Sequence, residues 1–171
     1  MDVVQTAGRG DRPTWIKQIV VAADGTPAST EGLEHVADLA LRIGAHVVVV
    51  YVRHFPGTAL MAPGVIDASL LKTLDEQEAE VRQDVLRIVG SSGVSWTFVV
   101  RVGSPGEEIV HVADEVGADL VVVGSNRHSS LHNLFLGSTA AYLTAHSRAP
   151  VLVMRTRAER GAMPAAAGAI R

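Results

Sequence analysis

The chain has 171 residues, 47% of them hydrophobic, which suits one domain with a sizeable buried core. A formal net charge of −3 and only 4% aromatic residues argue against general nucleic-acid binding, which needs a basic surface or a stacking platform. The absence of cysteine excludes disulfides and thiolate chemistry, and with no apolar run near the roughly 20 residues of a membrane span and no signal-peptide core, a soluble, cytoplasmic protein is expected.

Residues 1–14 mix glycine and proline with charge and show no periodicity, and residues 157–171 are rich in alanine and arginine. Both read as flexible tails around a single domain, 15–156. Within it, IKQIVVAAD (16–24) is a short buried strand ending at Asp24-Gly25. Thr26 then caps a helix with Pro27 in first position, where a missing N–H costs nothing. Leu33, Val36, Ala37, Ala40 and Leu41 recur at helical spacing and form its inward face, with a stop near Gly44. HVVVVYV (46–52) is the second strand. After the loop RHFPGTALMAPGV comes a long helix through Leu71, Leu74, Val81, Val85 and Ile88. VSWTFVVRVG (94–103) is the third strand, and Ser104 to Glu107 read as a capping box for a helix burying Ile109, Val112, Ala113 and Val116. DLVVVGS (119–125) is the fourth strand. A helix of about ten residues from Ser138 leads to the fifth, PVLVMR (150–155).

Strands that are apolar throughout and alternate with helices define the fold class as α/β: a five-stranded parallel sheet sandwiched by helices, open, Rossmann-like and doubly wound. LRIGAHVVVVYV and DEVGADLVVVGS echo one another, as two helix-to-strand turns with the same chemistry would.

Ligands of such sheets sit beyond the C-terminal strand ends. Asp24, Val52-Arg53 and Gly124-Ser125 fall there, so three segments converge on one crevice. Gly124 allows close backbone approach to a ligand. Gly137-Ser138-Thr139 opens a helix whose free N–H groups and positive dipole end favour an anion, with two hydroxyls to help. Asp24 can accept from a ribose or an adenine amino group, or can cap Thr26 and its neighbours. Arg53 and Arg101 face either the crevice or solvent. No Walker-type or dinucleotide glycine loop occurs. His128 and His132 stand four apart but lack a third ligand, so they read as loop residues and not as a metal site. Met61 can fill a hydrophobic gap in its loop. Glu107 and Glu108 complement a helix dipole. No nucleophile with an adjacent base is visible.

The order IVVAADGT, HVVVVYV, GSPGEEIVHVADEVGADLVVVGS, a glycine-framed loop and AHSRAPVLVMR resembles the universal stress protein family over about residues 16–155. Its ATP-binding branch carries Gly-x-x-Gly, nine residues, then Gly-Ser/Thr. Gly124 and Gly137-Ser138 match that pattern, and Arg127 stands at the second glycine. The resemblance implies an adenine nucleotide, ATP with or without Mg²⁺, held near Ala22, Asp24 and Val52, with phosphates on Gly124, Ser125, Gly137, Ser138 and Thr139. It also implies a homodimer through the last strand, Val151–Arg155.

Arg127 alters that expectation. Glycine would take positive φ freely there, whereas an arginine can point outward, grip phosphates as a fork, or fill the pocket. Three functions follow: a nucleotide-responsive stress or signalling regulator without turnover, with cyclic AMP as an alternative ligand; a dimeric interaction module plugged by Arg127; or a slow ATPase or nucleotide transferase.

Overall fold

The computed structural model describes residues 15–55, 68–125 and 137–156. Along them run β1 (Gln18–Ala22), α1 (Pro27–Ile43), β2 (His46–Arg53), α2 (Ala68–Ile88), β3 (Trp96–Val102), α3 (Pro105–Val116), β4 (Leu120–Gly124), α4 (Ser138–His146) and β5 (Val151–Met154). The strands form one sheet in the order β3-β2-β1-β4-β5, and every pairing is parallel. Chain order therefore reverses direction between β1 and β4. The doubly wound α/β fold expected from the alternation is the fold observed.

The apolar strands are explained by two cores. Because successive side chains point to opposite faces, Ile19 and Val21 join Val47, Val49 and Val122 under α1 and α2. Val20 joins Val48, Val50, Val121 and Val123 under α3 and α4. Leu33, Val36 and Ala40 supply α1's share of the first core, and Ile109, Val112 and Ala113 supply α3's share of the second. Leu41 and Leu71, both expected to face inward, are 56% and 43% exposed. At about 100° per residue they lie about 80° and 70° round their helices from Leu33 and from the stripe of Leu74, Val81, Val85 and Ile88, past the edge of contact.

Both ends of α1 and the C-terminus of α3 follow local chemistry, whereas the expected cap of α3 does not form. Thr26 accepts the Ser29 N–H at 3.3 Å, and Pro27 opens α1. α1 and α3 both end on a left-handed glycine, Gly44 (φ 70°) and Gly117 (φ 63°). The next N–H then returns to the helix, Ala45 to the Ala40 carbonyl and Ala118 to that of Ala113. Two equal stop motifs account for the internal echo. The cap that does not form is the capping box. Ser104 occupies the N-cap of α3, but its side chain makes no capping bond. The start of α3 is fixed instead by packing, since a Cβ on Gly106 would stand 2.7 Å from the Tyr142 ring of α4.

Candidate functional site

At the reversal point, the C-terminal ends of β1, β2 and β4 and the first turns of α3 and α4 surround a cleft of about 140 Å³. One wall is apolar, built from Ala22, Val50, Val52, Val123 and Ile109. These residues reach it because adjacent strands end in register, Ala22 beside Val50 and Val21 beside Val122. The polar wall is the start of α4, where Gly137, Ser138 and Thr139 line the cleft. Gly137 is the N-cap and offers no side-chain bond to the first turn. The free N–H groups of that turn, and the positive end of the helix dipole, meet whatever enters.

Of the residues singled out from sequence, Ala22, Asp24, Val52, Gly124, Gly137, Ser138 and Thr139 line this one cleft. Ser125 does not. It is 3% exposed, and its N–H is committed to the Met154 carbonyl at 2.7 Å, so it ties β4 to the end of β5. Arg127, His128, His132 and Met61 lie outside the described residues. Among the described residues no three His, Cys, Asp or Glu side chains could hold a metal ion.

Asp24 combines the two roles left open for it. Its Oδ1 accepts the Thr26 N–H at 3.0 Å and the Thr26 hydroxyl at 2.6 Å, so it braces the cap of α1. The same side chain lines the cleft. Ser29, which sequence reasoning missed, completes the brace. Its hydroxyl donates to the Thr26 carbonyl at 3.1 Å and accepts the Asp24 N–H at 3.3 Å. A serine in a first helical turn is ordinary, and its only sequence signal is its place three residues after the cap.

Gly124 serves a purpose different from the one expected. A Cβ there would lie 2.9 Å from the Ala28 carbonyl carbon and 3.0 Å from the Ser29 nitrogen. The close approach it permits is that of α1 itself.

The two arginines are structural. Arg53 turns from the cleft to α2, with Nε 2.7 Å from Glu78 Oε2 and NH2 2.8 Å from Asp75. Arg82 takes the other oxygen of Glu78 at 2.8 Å and lies over the Phe98 ring. Hydrogen bonding from Arg82, and then from Arg53, holds the Glu78 carboxyl below its ordinary range, against the effect of burial. Arg101 pairs with Glu115 on α3.

An open parallel sheet whose crevice lies at the reversal of strand order, with a helix start on one wall, defines a doubly wound α/β protein with its ligand position at the switch point. The model of the universal stress protein family matches residues 16–155, and the chain belongs to that family. It is 31% identical over 140 residues to universal stress protein MJ0531 of Methanocaldococcus jannaschii, with 81% of this chain and 82% of that protein covered. Its fold matches the solved structure of MJ0577 from the same organism, with a TM-score of 0.70 at 23% identity and 84% and 99% of the chains covered. A universal stress protein solved in complex with cAMP matches with a TM-score of 0.56 at 25% identity, covering 82% and 97%. One from Archaeoglobus fulgidus, solved with dAMP, gives 0.58 at 21%, covering 82% and 98%.

Proposed function

We propose that the cleft binds an adenine nucleotide, and that the protein acts as a stress or signalling regulator through occupancy, without turnover. The observation that carries this reading is the uncapped start of α4, which opens Ser138 and Thr139 into a cleft whose opposite wall is apolar. Such a site suits a molecule with a flat apolar base at one end and an anion at the other. Asp24, with Oδ1 committed to Thr26, presents its other oxygen to a ribose or an exocyclic amine. That a family member of similar fold was solved with cAMP supports the same ligand class. ATP, with or without Mg²⁺, and cAMP are the leading candidates, and substituting Arg127, which stands at the family motif's second glycine, tests between them. A homodimer through β5 accompanies this reading.

The test is thermal unfolding with millimolar ATP-Mg²⁺, ADP, AMP and cAMP, on the wild type and on Arg127→Gly. A ligand at 100 times its Kd adds about 2.7 kcal/mol of stability, which is easily read as a shift in Tm. A shift in the wild type supports the nucleotide reading, and the ranking of ligands reports how many phosphates are held. A shift confined to Arg127→Gly makes the arginine a plug and favours the interaction module. No shift in either variant removes nucleotide binding.

A further inference from the structure

A second recess, of about 240 Å³, opens on the α1–α2 side of the sheet between the Asp24-Gly25 turn and α2. Three carboxylates line it: Asp24, Glu80 and Asp84. Glu80 and Asp84 share a face of α2 because they are four residues apart. Val81 between them brings the helix against the turn. A Cβ on Gly25, whose φ is +78°, would stand 3.3 Å from Val81 Cγ2.

Carboxylates on a helix surface are commonplace. Tyr51 sets this group apart. It is 6% exposed and packs in the core under α1 and α2, yet it lines the recess. Its hydroxyl makes no hydrogen bond among the described residues, and its oxygen is not sealed off from the space in front of it. A buried tyrosine ordinarily directs its hydroxyl at a partner. This one directs it into an acidic cavity. Burial holds the phenol above its ordinary pKa, with Arg53 opposing, so the hydroxyl is neutral and can both accept and donate.

The neighbouring cations are already engaged. Arg53 is bound to Asp75 and Glu78, and Arg82 to Glu78. Arg87 holds Asp84 Oδ1 at 2.7 Å, and Glu80 has no ion pair among the described residues. Asp84 is thus already shared with Arg87, while Asp24 and Glu80 make no ion pair among the described residues, so the recess keeps two carboxylates without a cation. A single metal ion does not suit it, because no three of these groups converge closely enough to share one. Carboxylates on both the Asp24-Gly25 turn and α2, with the apolar Val81 in the same lining, suit a cation whose N–H groups are separated by methylenes.

We propose that this recess binds a small aliphatic diamine or polyamine. One ammonium lies between the Asp24 carboxylate and the Tyr51 hydroxyl, the second lies at Glu80 and Asp84, and the alkyl chain rests on Val81. Asp24 lines both cavities, so an occupant of the recess touches the carboxylate that braces the start of α1. Binding does not depend on the nucleotide reading, and the test uses nucleotide-free protein.

Calorimetric titration with putrescine and spermidine, at fixed ionic strength, gives saturable one-site binding. Glu80→Gln weakens it about ten-fold or more, the effect of losing a hydrogen bond to a charged group. Tyr51→Phe weakens it about ten-fold or more, because the hydroxyl's bond is to a charged ammonium. Tyr51→Phe leaves the Tm of unliganded protein unchanged, because the hydroxyl has no partner to lose. Glu107→Gln, outside the recess, leaves binding as it was. Equal affinity in all four proteins, displacement of spermidine by an equal concentration of Mg²⁺, or the absence of saturable heat each overturns the assignment.

Discussion

Gly124 at the end of β4 and Ala28 in the first turn of α1 touch backbone to backbone: a Cβ on Gly124 would lie 2.9 Å from the Ala28 carbonyl carbon. Gly44 presents the opposite case, with nothing within 4 Å of its missing Cβ but a φ of +70°. One glycine is required for space and the other for conformation. Gly124→Ala should cost about 1–3 kcal/mol by overpacking, and Gly44→Ala about 1–2 kcal/mol through the left-handed backbone. Asparagine separates the causes, because it tolerates that backbone but not the crowding. Urea denaturation should show Gly44→Asn milder than Gly44→Ala, and Gly124→Asn worse than Gly124→Ala. Equal rescue at both sites would refute the distinction.

Thr26 links the fold to the cleft. Its hydroxyl accepts from Ser29 and donates to Asp24, so the cap of α1 and the orientation of the cleft carboxylate depend on one side chain. Thr26→Ala should lower stability by about 1 kcal/mol, the usual cost of a lost N-cap, and Thr26→Ser should recover most of it. Any nucleotide-induced rise in Tm should shrink in Thr26→Ala and return in Thr26→Ser. Loss of stability with an unchanged ligand response would separate the cap from the cleft.

The sequence made much of this legible where the governing physics is local. Thr26-Pro27 marks a helix start and Gly44 a helix stop, because each acts within one turn of its own backbone. The strands were readable because a sheet covered on both faces needs apolar residues at consecutive positions. What escaped reading depends on distant partners. Ser104 has a capping residue's identity without its bond, since Gly106 against Tyr142 already fixes the start of α3. Ser125 stands beside Gly124 at a strand end, and only the pairing of β4 with β5 shows that its N–H is committed. Tyr51 reads as one more apolar strand residue until α2 is placed against it.

Glu78 should make stability depend on acid. Its carboxyl is held below its ordinary value by Arg82 and Arg53, so the unfolded chain takes up its proton at higher pH than the folded one. The stabilisation is complete above the unfolded carboxyl value, about 4.3 for glutamate. It is lost as pH falls through the depressed folded value. Denaturant midpoints measured from pH 7 down to 3 should decline in the acid range, and more steeply in the wild type than in Glu78→Gln. The variant should be less stable at pH 7 by about 1–3 kcal/mol, since Arg53 and Arg82 lose a charged partner. Parallel pH profiles for the two proteins would assign the acid loss to other carboxylates.

Leu152 bears on assembly. β5 lies at one edge of the sheet, pairing among the described residues with β4 alone, and Leu152 at its centre is 41% exposed. An apolar edge strand invites pairing with another chain unless it is covered or charged. A second copy meeting β5 would cover Leu152 and extend the sheet. Light scattering on the eluting protein should then give a dimer for the wild type at micromolar concentration and a monomer for Leu152→Glu. The side chain is half out of the core already, so the variant should remain folded by circular dichroism. Its Tm should also become independent of concentration, whereas the wild-type Tm rises with it. A wild type that is monomeric across this range would exclude β5 as a stable interface. A dimer that survives Leu152→Glu would place the contact on another face of the molecule.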